Sequence, residues 1–106
     1  MDTFTALADP TRRKIVETLA TGERPFGDLA GGFEMSRPAV SQHLKVLREA
    51  GIVVVRADAQ RRIYRLDDNA LGELDAWLDK VRRFWNPRLD RLEDALREDR
   101  RKETKR

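Results

Sequence analysis

The chain has 106 residues, with 22 Lys and Arg against 19 Asp and Glu, so its formal net charge is only +3. That length holds one domain with a modest core and leaves no room for a doubly wound sheet around a deep cofactor cleft. With no cysteine and one histidine, disulfides, thiolate metal sites, cysteine nucleophiles and imidazole clusters are excluded; no apolar run is long enough to span a bilayer, and the start of the chain lacks the basic and apolar segments of a secretion signal, so a cytoplasmic location is expected.

From the N-terminus, Phe4, Leu7 and Ala8 read as a short helix leaning on the core. Asp9-Pro10-Thr11 opens the next one. The aspartate can accept from free first-turn amides, and a proline at the first helical position has no amide to leave unpaired. Ile15, Val16 and Leu19 form its apolar stripe and Gly22 stops it. Residues 25–30 read as a second short helix with Phe26, Leu29 and Ala30 inward, closed by Gly31-Gly32, with Phe33 and Met35 tucked under the turn. Ser36 caps a third helix over residues 36–50, Pro38 is tolerated in its first turn, and Gly51 ends it. Val40, Leu44 and Leu47 recur at spacings of four and three and bury one face. Arg37, Ser41, Gln42, Lys45 and Arg48 occupy the other.

Residues 52–56 and 62–66 are β-rich, and residues 57–61 between them form a hairpin loop. Tyr64 and Leu66 share the inward face, with Arg61 and Arg65 on the other. Two strands alone are marginal, so the hairpin must rest on the helices. Asp67 or Asp68 caps a long final helix, in which Leu71, Leu74, Leu78, Val81, Trp85, Leu89, Leu92 and Leu96 recur at spacings of 3, 4, 3, 4, 4, 3 and 4. That is nearly a heptad seam, widened by Trp77 and Phe84. Asn86-Pro87 falls at the irregular step and predicts a kink or break over residues 84–87, because proline removes one helical hydrogen bond. The fold class is mainly α with a small β-hairpin (α+β), in a domain over residues 1–96 followed by a charged tail, 97–106, that frays.

The small net charge is unevenly spread. Residues 35–66 contain Arg37, Lys45, Arg48, Arg56, Arg61, Arg62 and Arg65 against Glu49 and Asp58, a local charge of +5 on a chain that is otherwise slightly acidic. A local excess of this kind suits a polyanion. A helix, a turn, a second helix and a basic hairpin in this order resemble a helix-turn-helix, whose second helix lies in the DNA major groove. Residues 36–50 give a helix of about 22 Å, and the groove is about 12 Å wide. Gln42 can pair with adenine, Arg37 and Lys45 with guanine or phosphate, and Ser36 and Ser41 with phosphate or a base edge. Arg61, Arg62 and Arg65 would set the hairpin against the backbone or the minor groove. The same arrangement also serves as a protein-interaction module with an ordinary solvated face, and composition and spacing leave both open.

The stretches ALADPTRR at residues 6–13, Asp28-Leu29-Ala30, SRPAVSQHLKVLREAGIV at residues 36–53 and Arg61-Arg62-Ile63-Tyr64-Arg65-Leu66 resemble the ArsR family of transcriptional regulators over residues 3–80. The resemblance implies a winged helix-turn-helix with a long C-terminal dimerisation helix. It implies a homodimeric repressor that blocks a promoter by occupying palindromic double-stranded operator DNA. Ser36, Arg37, Pro38, Ser41, Gln42, Lys45 and Arg48 then belong to the recognition helix, and Arg56, Arg61, Arg62 and Arg65 to the wing. Leu74, Trp77, Leu78, Val81, Phe84 and Trp85 offer more apolar area than a small domain needs for itself, and aromatic residues favour interface cores. Phe4 and Leu7 join that dimer interface by the resemblance.

Many members of the family release DNA on binding metal. This chain departs from both of their usual sites: residues 26–30 (Phe26-Gly27-Asp28-Leu29-Ala30) carry no thiol, and the last helix has Asp68, Glu73, Asp75 and Asp79 but no histidine. No metal and no cofactor are therefore expected. Gln60 stands where a wing glycine is common, and Glu34 where a small turn residue is common, so both turns should differ from the usual ones. His43 falls between the buried and outward faces of its helix, which suits a packing or positioning role with a small pH effect on binding. Enzyme activity has no residues to carry it. Two alternatives stay open: a protein-interaction module with weak non-specific DNA binding, or a repressor released by an unidentified small ligand or regulatory protein.

Overall fold

The computed structural model describes residues 1–85 and 87–104. The elements run α1 (Thr3–Ala6), α2 (Pro10–Ala20), β1 (Arg24–Pro25), α3 (Phe26–Gly31), α4 (Arg37–Glu49), β2 (Val53–Asp58), β3 (Arg61–Leu66), α5 (Gly72–Trp85) and α6 (Pro87–Thr104). They fall into two compact units, Met1–Glu73 and Leu74–Arg106.

In the first unit, polar caps define the helix starts. Thr5 N donates to Asp2 Oδ1 at 2.7 Å, Arg12 N to Asp9 Oδ1 at 3.1 Å and Ala39 N to Ser36 Oγ at 3.3 Å, each satisfying a first-turn amide. Pro10 and Pro38 sit in first turns, as expected. α4 closes with a paired motif: Ile52 N donates to Leu47 O and Gly51 N to Arg48 O, both at 3.0 Å, with Gly51 at φ +76°. This turns the chain from α4 straight into β2. α1 ends differently, its last carbonyls being taken by arginine side chains of α2: Arg12 Nε donates to Ala6 O at 2.6 Å and Arg13 Nη1 to Leu7 O at 2.9 Å. The residues that α1 buries are Thr3 and Ala6. Leu7 is half-buried against the core, whereas Phe4 and Ala8, expected inward, are exposed.

The core joins Ile15, Val16 and Leu19 of α2, Leu29 and Ala30 of α3, Val40, Leu44 and Leu47 of α4, and Ile52, Val53 and Tyr64 of the wing. Phe26, Phe33 and Met35 are partly buried against it. The Phe26 and Tyr64 rings lie 6.3 Å apart at 51°, within the range of favourable aromatic pairs.

Three expectations for the wing region are corrected. The hairpin is not alone: β1 adds an antiparallel edge, giving the order β1-β3-β2, with Arg24 opposite Tyr64 and Pro25 opposite Ile63. Pro25 therefore belongs to a strand, and α3 begins one residue later; proline is tolerated on an edge strand, where no ladder amide is required of it. The loop contracts from residues 57–61 to Ala59-Gln60, because Asp58 and Arg61 pair directly. Ala59 supplies the turn at φ +55°. Tyr64 is buried and Leu66 half-buried, as expected, but Ile63 on the opposite face is buried as well.

Past the wing, Asp67 Oδ1 accepts from Asn69 N at 2.9 Å, capping a turn and not the helix, which starts only at Gly72. In the second unit the expected break falls between α5, ending at Trp85, and α6, beginning at Pro87; Asn86 lies outside the described residues. Of the charged tail over residues 97–106, α6 takes in the part to Thr104, and residues 105–106 lie outside the described residues.

Candidate nucleic-acid interface

The outward face of α4 is laid out as its spacing implies. With Val40, Leu44 and Leu47 fixed in the core, Ser36, Arg37, Pro38, Ser41, Gln42, Lys45 and Arg48 are exposed. A groove of about 720 Å³ runs between this face and the wing. Pro38, Ser41, Gln42, Lys45, Arg48 and Glu49 form its helical wall, and Val53, Val54, Val55, Arg62 and Tyr64 its sheet wall. A second recess of about 530 Å³ lies on the other side of Ser41 and Arg62, reaching Phe26, Asp28, Gln60 and Arg61. Ser41 and Arg62 thus border both. The period of two along β3 explains this: Arg62 shares its sheet face with Tyr64, which packs on the helical core.

The basic residues divide by their partners. Among the described residues, Arg37, Lys45, Arg48 and Arg62 have no carboxylate within ion-pair distance, so their charge is available to a ligand. The other wing arginines are engaged. Arg56 Nη1 and Nη2 lie 2.6 and 2.9 Å from the two carboxylate oxygens of Glu23. Arg61 lies 3.3 Å from Asp58 and Arg65 3.7 Å from Asp68. The hydrogen bond from Arg56 holds the Glu23 carboxyl below its ordinary range. Asp9 is lowered chiefly by the Arg12 amide. Glu23 and the contact of Arg12 with His43 escaped the sequence reading; the acid at residue 23 carried no recognisable spacing to a residue 33 positions away.

In the first unit, Phe4 is exposed and Leu7 half-buried; in the second, Leu74, Leu78 and Val81 are half-buried, and Trp77, Phe84 and Trp85 are 49%, 78% and 80% exposed. No three His, Asp or Glu side chains gather at metal-binding distances among the described residues, and no helix there is long and apolar enough to cross a membrane.

A helix-turn-helix whose second helix presents unpaired cations beside a basic three-stranded wing defines a winged-helix, DNA-binding protein. Residues 9–55 match the family described as bacterial regulatory proteins of the arsR family. An HTH-type transcriptional regulator of Mycobacterium tuberculosis is 52% identical over 84 residues, 79% of this chain and 76% of that protein. The transcriptional repressor SdpR of Bacillus subtilis is 36% identical over 75 residues, 71% of this chain and 83% of that one. A solved structure described as a possible transcriptional regulator for arsenical resistance superposes with a TM-score of 0.71 at 45% identity, over 90% of this chain and 96% of that one. The chain belongs to the arsR family of bacterial regulatory proteins, which are DNA-binding regulators of transcription and not enzymes.

Proposed function

We propose that this regulator acts as a homodimeric repressor on a palindromic operator and does so without a metal switch. The observation that carries the reading is the set of unpaired cations, Arg37, Lys45, Arg48 and Arg62, exposed on one helix face and the facing wing strand. Arg37, Ser41, Gln42 and Lys45 would read base edges, with Ser36 and Pro38 shaping the first turn of the helix. Arg48 and Arg62 would neutralise phosphates. Arg61 and Arg65 would add to them, and Arg56 least, since each shares its charge with a carboxylate.

Dimerisation through Leu74, Trp77, Leu78, Val81, Phe84 and Trp85, with Phe4 and Leu7, is supported by the large aromatic area left in solvent on α5. Two copies set one helical turn apart would read two half-sites about 34 Å apart. Repression is the named role of one similar protein, the repressor SdpR. The metal-free reading rests on the donor inventory: the chain has no cysteine, and its only histidine is in contact with a guanidinium. Selection of bound duplexes from a random-sequence library by the purified protein tests the reading. Enrichment of a palindrome with one-turn half-site spacing is expected, with or without a chelator. Recovery of unenriched sequence would favour a protein-interaction module.

A further inference from the structure

The recognition helix is tied to the rest of its unit by more than apolar packing. Arg12 of α2 donates from Nε to Ala6 O at 2.6 Å and from Nη2 to Thr5 O at 3.3 Å, while its Nη1 lies 3.4 Å from His43 Nδ1 on α4. One guanidinium thus bridges the carbonyl end of α1 and the helix proposed to read DNA. A guanidinium has only donors, so the His43 nitrogen facing it can accept from Arg12 only while that nitrogen carries no proton. His43 is half-buried and lies off the outward face that carries Ser41, Gln42 and Lys45.

We propose that Arg12 is a positioning residue for DNA recognition, acting through His43, and that protonation of His43 loosens this hold and lowers operator affinity. The inference rests on the reading of α4 as the recognition helix. A protonated ring would set a second N–H and a second positive charge against Arg12, replacing a donor–acceptor contact with two donors of like charge. Facing His43 from α2 and its cap are Arg12 and Asp9. The Asp9 carboxylate, whose charge interacts with His43, opposes the effect while one of its oxygens accepts the Arg12 amide at 3.1 Å. α1 meets Arg12 through the Ala6 and Thr5 carbonyls, and the α4 residues one turn from His43, namely Ala39, Val40, Val46 and Leu47, carry no charge. Histidine is the side-chain type whose charge change ordinarily falls between pH 5 and 8, and this chain has one.

The test uses the full chain, a duplex selected by the wild-type protein from a random library, and a scrambled duplex of the same composition. Affinities are measured at constant salt between about pH 5.5 and 7, below the range of the N-terminal amine. Wild-type protein should lose affinity for the selected duplex several-fold on acidification, with a smaller change on the scrambled one. His43→Gln, which cannot titrate, should flatten that profile. Arg12→Lys keeps the charge but cannot span two carbonyls and a ring, and should lower affinity for the selected duplex several-fold at the upper pH, with thermal melts showing that it folds. A pH dependence that persists in His43→Gln, tighter binding at low pH, or wild-type discrimination in a folded Arg12→Lys would each overturn the proposal. If no duplex is enriched at all, the reading of α4 falls, and this inference falls with it.

Discussion

Glu23 and Arg56 are joined in a two-pronged ion pair, at 2.6 and 2.9 Å, that reaches from the residue before β1 to the middle of β2, across the strand between them. Arg56 and Pro25 both pair with Ile63, so this bridge spans the outer face of the wing at Ile63. Ile63 is 4% exposed yet stands outside the main core cluster. The pair lies on the sheet face that carries Ile63, and it ties β2 to the segment that leads into β1. Fork-shaped guanidinium–carboxylate pairs are the geometrically specific kind, which suits a device that fixes the position of the hairpin.

Acid should release this clamp. The Glu23 carboxyl lies below its ordinary value of 4.5, first because Arg56 donates to it. A carboxyl depressed in the folded state contributes stability that is present above the unfolded value and lost as pH falls through the folded one. Carboxyl-carbon NMR should show Glu23 titrating below the ordinary glutamate value, and Arg56→Ala should raise it. An unchanged Glu23 titration in that variant would show that the pair is not formed in solution.

Arg62 and Arg56 should separate in their salt dependence. Arg62 lines the groove with no carboxylate partner among the described residues, whereas Arg56 is held by Glu23. Loss of one phosphate contact lowers the salt slope of log K by about 0.9. Arg62→Ala should show that loss on selected and scrambled duplexes alike; Arg56→Ala should show less. Equal slopes for the two variants would mean that Arg56 leaves Glu23 when DNA binds.

The sequence carried the helical half of the unit well, because its signals are local. Asp9-Pro10, Ser36 and Gly51 each act within one turn of their own position, and the apolar spacing of Val40, Leu44 and Leu47 alone settles which face of α4 meets solvent. What was hidden is non-local. β1 has two residues, one of them a proline, and exists only because Arg24 and Pro25 meet Tyr64 and Ile63 from the far end of the unit. The same holds for the interface: its cations were legible, but their division into paired and unpaired depends on Glu23 and Asp68, whose positions the fold decides. The start of α5 was misplaced because Asp67 caps a tight turn first, a choice that an aspartate before a helix does not reveal.

Two small-residue substitutions should have opposite signs. Gly51 holds φ +76° in the turn that feeds β2, and Ala59 holds φ +55° at the wing tip. For a residue with a side chain the left-handed region costs about 1–2 kcal/mol. Gly51→Ala should therefore destabilise the unit by about 1 kcal/mol, although nothing lies within 4 Å of the added carbon. Ala59→Gly removes the strain at the cost of a more flexible unfolded chain, for a net gain of roughly 0.5 kcal/mol. Urea unfolding of both variants checks the signs, and a stabilised Gly51→Ala would contradict the conformational account.

Trp85→Ala should separate the stability of the protomer from that of the proposed dimer. The indole is 80% exposed and neighbours Phe84 at 78%, so removing it takes little from the protomer's own packing. At the centre of an interface the same ring is an anchor, worth about 2 kcal/mol or more, or roughly thirtyfold in the dimer constant. Linkage then gives a clear signature: if folding and pairing are coupled, the wild-type Tm rises with protein concentration. In the variant this rise should shift to higher concentration, while the low-concentration Tm stays put. Sedimentation should show the variant as monomer where the wild type is dimer, and its affinity for a full palindrome should fall toward that for a half-site. A tight, unchanged Trp85→Ala dimer would move the interface away from this end of α5.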